Sequence, residues 1–198
     1  MYLKVTNKTD YSTELLEVLV RFAIPDEWKH LQEITESSYP ISFRRPRKNQ
    51  NWLRATFDGH LITVHIPLLI DLPFYGNRVT PKGPGPAIIG GGEIPEKHQL
   101  PKKEQLSVTN FTEWLLAHIA HEMHHAYLHW ISPHNYVNTR RSLTAEATQE
   151  KYCARYAIEV IRRWREERGK KDLPFSQLED IRKQMRAEKH RPVQTGDG

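Results

Sequence analysis

Residues 73–101 divide the chain, because no regular helix or long strand can run through them. They hold six of the thirteen prolines and six of the ten glycines. Proline lacks the backbone donor and glycine weakens regular structure, so this density predicts a loop. A loop of this length inside a compact domain is typically either functional or disordered, and both interpretations stay open.

The length of 198 residues suffices for one well-packed domain and is short for two. We predict a single domain over residues 1–189, with residues 73–106 as the Pro/Gly-rich loop and residues 190–198 as a disordered tail. No run approaches the ~18 apolar residues of a membrane span, so no membrane contact is expected. With no visible signal peptide and one cysteine, Cys153, we expect a cytoplasmic location, no disulfide and no cysteine-based zinc site.

The residues before the loop are predicted to form two helices and a small sheet. One helix is capped by Asp10 or Ser12, and a second runs from Pro25 to about Ile34. Asp58-Gly59 is a turn pair that tolerates positive φ. Strands are predicted at Leu3–Thr6 and Ile41–Arg45 and in a hairpin of Trp52–Phe57 and Leu61–Ile66.

Three helices are predicted after the loop. The first begins after Asn110, with Glu113 as the partner of a capping box, and ends near Trp130. The second runs from about Ser142 to Arg168 and stops at Gly169, a residue type that favours helix ends. The third begins near Ser176 and ends before Pro192.

The first of these helices carries the pattern His121-Glu122-x-x-His125. Residues four apart lie on one helix face, so the two imidazoles can converge on one zinc ion. Glu122 is placed to reach a water at that ion instead of the ion itself. The chain has eleven histidines, and five of them fall between His118 and His129. His118 and His129 are one turn too far away to complete this site, and we expect them to flank it.

A catalytic zinc ion needs a third protein ligand and one open position. Glu146 follows His125 after twenty intervening residues and lies in the first turn of the next helix. That helix can return antiparallel to the first, which makes Glu146 the predicted third ligand. Glu150, one turn further, is expected to accept a hydrogen bond from a ligand histidine. Glu150 and His134 stay open as alternative third ligands.

Together, His121-Glu122-x-x-His125, Glu146 and the acid four residues later resemble the gluzincin branch of zincin metallopeptidases, including the minigluzincins. The resemblance covers residues 110–160 and implies one bound Zn²⁺, a protein or peptide substrate, and Glu122 as general base. It implies a zincin-like α+β fold with N-terminal backing helices, a small twisted β-sheet, an active-site helix, a glutamate helix and a C-terminal helix. It also implies an edge strand that aligns the peptide substrate. The candidate strand is Leu61, Ile62, Thr63, Val64, His65 and Ile66.

Hydrolysis of a peptide bond by this route needs a donor for the tetrahedral oxyanion. Four side chains are candidates, and the sequence does not choose among them. They are His134, Tyr136, Arg140 and Tyr152.

The segment Ala120–Leu128 is also similar to the active-site helix of SprT-like (Spartan) metalloproteases, which act on proteins crosslinked to DNA. That family completes its site with a histidine followed by glycine, and no His-Gly pair occurs in this sequence. Residues 161–191 hold eleven Lys and Arg against six Asp and Glu, within a net charge of +5. A weak nucleic-acid contact through these basic helices is therefore the alternative to a solvated helix face. A catalytically degenerate zinc-binding module is the remaining alternative.

Overall fold

The computed structural model describes residues 4–26, 28, 40–46, 53–66, 87–91, 95–108, 110–140 and 142–170. These residues form an α+β fold with a small sheet, which confirms the predicted fold class at this coarse level. The strands are β1 (Val5–Lys8), β2 (Ile41–Arg44), β3 (Arg54–Phe57), β4 (Ile62–His65), β5 (Ala87–Ile89) and β6 (Leu106–Val108). The α-helices are α1 (Thr13–Ala23), α2 (Phe111–Ile131), α3 (Pro133–Arg140) and α4 (Leu143–Arg168).

The main sheet has the strand order β1-β2-β4-β3. Strands β1, β2 and β4 run parallel, and β3 runs antiparallel to β4. Strand β4 is therefore bonded on both sides, and β3 lies at the edge of the sheet among the strands in the described ranges. The prediction that Leu61–Ile66 forms the substrate edge was wrong, because a hairpin partner fills one side of β4 and β2 fills the other.

The hairpin of β3 and β4 turns where the sequence predicts it. Gly59 adopts a φ of 99°, which glycine accepts without strain. The Asp58 carboxylate accepts hydrogen bonds from the backbone N–H groups of His60 and Leu61, at 2.9 and 2.8 Å. Ile62 and Val64 alternate with half-buried residues and are completely buried, so this hairpin supplies one face of the core.

Helix caps also follow the sequence. The Ser12 hydroxyl accepts a hydrogen bond from the Leu15 N–H at the start of α1. The Asn110 side chain accepts one from the Glu113 N–H at the start of α2. Gly169, at a φ of 70°, ends α4 at the predicted residue.

Helix α2 is the centre of the fold, and it contacts α1, α3, α4, β3 and β4. Its partner α4 runs antiparallel to it, because Glu113 meets Arg165 whereas the later residue His121 meets the earlier residue Glu150. Both contacts bring side chains of α4 against α2. This pairing places the functional side chains of two helices in one interface.

Four short elements were not expected. Strands β5 and β6 pair antiparallel in a second sheet, and residues 96–98 form a short 3₁₀ turn. Helix α3 occupies the connection between the helix that was predicted to end near Trp130 and the one predicted from about Ser142, and Pro133 is its first residue, where the missing N–H costs nothing. Every helix in the described ranges is too short or too polar to cross a bilayer.

Several predictions concern residues outside the described ranges. They include most of the helix from Pro25 to about Ile34, most of the central loop between residues 67 and 94, the helix from about Ser176, and the tail 190–198.

Candidate metal centre

The two histidines of the sequence motif share one face of α2, one turn apart. Their ring centroids are 4.9 Å apart, and their Nε2 atoms are 3.2 Å apart. His125 is 2% exposed, whereas about a quarter of the His121 side chain is accessible. The two ring nitrogens therefore face one another at the boundary between the core and solvent.

Glu150 of α4 completes this arrangement. One carboxylate oxygen, Oε2, lies 3.1 Å from Nε2 of His121. The other, Oε1, lies 3.3 Å from Nε2 of His125. A carboxylate and two imidazole nitrogens thus converge on one point from two helices.

The charges at this point are mutually stabilising. Burial raises the pKa of Glu150, but the hydrogen bonds and charges of His121 and His125 outweigh it, and the pKa lies well below its usual range. Burial lowers the pKa of His121, while its hydrogen bond to Glu150 and the negative charges of Glu122 and Glu150 raise it, and the net shift is upward. The site therefore keeps a carboxylate ionised in a largely buried position.

Cys153 lies close to the two histidines, although a single cysteine predicted no cysteine-based zinc site. It is completely buried on α4, one turn after Glu150. One donor atom each from His121, His125 and Cys153 lies within 4.8 Å of the other two, and this group could hold a metal ion. In the sequence, the three-residue spacing of Glu150 and Cys153 indicates that both lie on one face of the helix. The number of cysteines in the chain does not reveal this shared face.

The predicted third ligand, Glu146, is not part of this cluster. It lies one turn before Glu150 on α4 and is half-buried, and it does not belong to the group of donor atoms that lie within 4.8 Å of one another. The register in which α4 packs on α2 brings Glu150, one turn further along, against both histidines. Glu150 was expected there as a hydrogen-bond partner of a ligand histidine or as an alternative third ligand.

Tyr136 lies on the other side of His125. Its hydroxyl is 3.4 Å from Nδ1 of His125, and both side chains are buried. Tyr136 also packs edge-on against the rings of Phe57 and His129. It therefore orients a site histidine, whereas the sequence made it a candidate donor for the oxyanion.

The remaining candidates lie outside the convergence point. His134 is exposed in the first turn of α3. Tyr152 is 55% exposed on α4, with the Arg155 guanidinium 6.0 Å from its ring. The side chain of Arg140 falls outside the described positions. Glu122 is half-buried beside His121, and its negative charge acts on that ring.

Two other histidines of α2, His118 and His124, are held in neutral form. The His118 ring pairs with the Trp114 carbonyl at 2.9 Å, and burial lowers the pKa of His118 to about 4. The ring of His124 stacks on Tyr156, and burial lowers its pKa to about 4 as well. Neither ring belongs to the group that converges on Glu150.

A cavity of about 250 Å³ opens beside Tyr136. It lies between the turn of the β3–β4 hairpin and helix α3. Its lining is Asp58, Gly59, His60, His129, Tyr136 and Val137.

The chain has no significant match among protein-family models, curated proteins or solved structures.

Proposed function

We propose that this protein is a zinc-dependent metallopeptidase in which His121, His125 and Glu150 hold the metal. The observation that carries the proposal is the convergence of three side chains: the Nε2 atoms of the two histidines are 3.2 Å apart, and each faces a different oxygen of the Glu150 carboxylate, at 3.1 and 3.3 Å. Tetrahedral zinc, with bonds of about 2.0–2.2 Å to nitrogen and oxygen, separates its donors by roughly 3.3–3.5 Å. The side chains present therefore fit a zinc ion without rearrangement of the backbone.

The number of ligands favours a catalytic site over a structural one. Two histidines and one glutamate leave one of four positions open, as catalytic zinc sites do, whereas structural sites are closed by four protein ligands. When bound, zinc supplies Lewis acidity, which makes water nucleophilic near neutral pH and polarises a carbonyl group. A purely structural site would have no use for an acid such as Glu122 beside the first ligand.

Glu122 is the proposed general base. Its carboxylate takes a proton from the attacking water and passes it to the nitrogen of the leaving amine. Tyr136 holds the ring of His125 from the Nδ1 side, so that Nε2 stays directed at the convergence point. The edge strand β3 packs against α2, and an extended peptide added to this edge would pass close to the site.

The histidine-completed alternative has less support. Glu150 occupies the place of the third ligand, and His134 is exposed on a different helix. A role on DNA depends on the basic residues 161–191, most of which lie outside the described ranges. DNA binding that weakens steeply with added salt would favour this alternative.

The proposal is tested by Glu122→Gln, which keeps the size of the side chain and removes the base. We expect unchanged zinc content and cleavage of casein reduced by at least ~100-fold, which is typical of the loss of a general base. Glu159→Gln, a substitution of an exposed glutamate on α4, is the matched control and should leave both quantities unchanged. Wild-type rates in the Glu122→Gln variant would overturn the catalytic assignment.

A further inference from the structure

The cysteine beside the site has no role in the proposed chemistry. Cys153 is 0% exposed and lies one turn after Glu150 on the side of α4 that faces α2. The buried neighbours Ala154 and Ala157 show that small residues fill this part of α4. A cysteine in such a position is ordinarily a small apolar filler. Here, however, its sulfur lies within 4.8 Å of a ring nitrogen of each site histidine.

We propose that Cys153 is a fourth, displaceable ligand that closes the metal site in the resting protein. This inference rests on the proposed function, because it assigns a regulatory role at the same metal. Thiolate is a preferred zinc ligand, and a site with four protein ligands has no open position. The closed state is therefore latent, and it becomes active only when the sulfur leaves.

The geometry allows both states. A nitrogen and a sulfur on one tetrahedral zinc ion lie roughly 3.5 Å apart, so the sulfur has to move toward the histidine nitrogens by about 1.3 Å at most. The position of a cysteine sulfur depends on one torsion, χ1, which can change without movement of the helix. Glu150 and the two histidines would keep the metal in place when Cys153 turns away.

The chemical step is a simple exchange. On ligation the S–H bond is replaced by a metal–sulfur bond, and one proton leaves to solvent. No oxidant or reductant is needed, and the metal keeps its charge. Displacement reverses the exchange: water or a substrate carbonyl would take the open position, and the sulfur would take a proton back from solvent.

Cobalt(II), bound in place of zinc to the full-length protein, reports two properties of the site. Its visible d–d absorption shows that the metal occupies a site of low coordination number, and a near-ultraviolet sulfur-to-cobalt charge-transfer band shows a thiolate ligand. We expect both signals in the wild-type protein. In Cys153→Ala and Cys153→Ser we expect the charge-transfer band to disappear, the d–d bands to remain, and the affinity for zinc to fall by at least about tenfold.

The outcomes separate this inference from the proposed function. Visible bands without the charge-transfer band in the wild-type protein would show that Cys153 only packs, and the metallopeptidase proposal would stand. Absence of cobalt binding in the wild-type protein would overturn both proposals.

The latent state is tested by a separate activity measurement. Casein cleavage per bound zinc should rise in Cys153→Ala, and a fall would overturn the proposal that Cys153 closes the site. The wild-type spectrum decides the ligation even where a variant folds poorly.

Discussion

The hydroxyl of Tyr136 lies 3.4 Å from Nδ1 of His125, so the ring of His125 is held on both sides. Its other nitrogen faces Glu150 and His121. A hydrogen bond of this kind fixes the tautomer and the orientation of a ligand histidine. Because Tyr136 belongs to α3, the connection between α2 and α4 contributes a side chain directly to the site.

The first prediction follows from this contact. Tyr136→Phe removes the hydroxyl and keeps the ring, and we expect the affinity for zinc to fall by about 10–100-fold. Titration against a chromophoric chelator measures this affinity. Tyr152→Phe is the matched control, because the Tyr152 ring is exposed on α4 and is not one of the described contacts of either histidine. Equal affinities in the two variants would contradict the orienting role.

The second prediction compares two glutamates one turn apart on α4. Glu150→Ala removes the carboxylate that contacts both histidines, so we expect zinc to be lost to a mild chelator. Glu146→Ala, one turn earlier, should keep the metal. Metal content after dialysis, measured by mass spectrometry, checks both. Zinc lost from the Glu146 variant and kept in the Glu150 variant would restore the ligand set expected from the sequence.

The histidine pair and its helix could be predicted from the sequence, because both depend on local spacing and caps. Asn110 and the i, i+4 pattern determine where α2 begins and which face carries the two imidazoles. Glu150 could not be selected over Glu146 in the same way. Both lie on one face of α4, and the choice depends on how far along α2 this helix packs.

The same limit applies to the sheet and to Cys153. Local alternation predicts that Leu61–Ile66 is a strand, but its place between β2 and β3 depends on pairing between distant residues. Cys153 reaches the histidines only because α2 and α4 pack antiparallel. Local structure is therefore predicted well here, and the relative placement of elements is not.

The third prediction concerns the ion pair that joins the start of α2 to the end of α4. The Glu113 carboxylate is 0% exposed and accepts two hydrogen bonds from Arg165, at 2.8 and 2.7 Å. Arg165→Met leaves this carboxylate buried without its cation, so we expect the free energy of unfolding to fall by about 3–5 kcal/mol. Urea denaturation measures the loss.

A surface pair provides the control for this substitution. Arg21 bonds to Glu17 on α1, with 75% of the arginine side chain exposed. Arg21→Met should therefore cost about 0.5 kcal/mol or less. The double variant Glu113→Gln/Arg165→Met should recover part of the loss of Arg165→Met, because the buried charge is gone. Equal costs for the two arginines would show that the Glu113 pair does not stabilise the helix interface.

The last prediction is a pH dependence of stability that comes from His118. Burial lowers its pKa from 6.5 to about 4 in the folded protein, so the unfolded chain takes up a proton first as the pH falls. The contribution of His118 to stability is complete above about pH 6.5 and is lost progressively between about pH 6.5 and pH 4. Between pH 7 and pH 5 this loss amounts to about 1–2 kcal/mol.

His118→Gln removes the titrating group, so the free energy of unfolding of this variant should fall less over the same interval. Urea denaturation of metal-free protein at the two pH values measures the difference, since acid would otherwise also release the metal. An unchanged pH dependence in the variant would show that the folded protein accepts a proton on His118 as easily as the unfolded chain does.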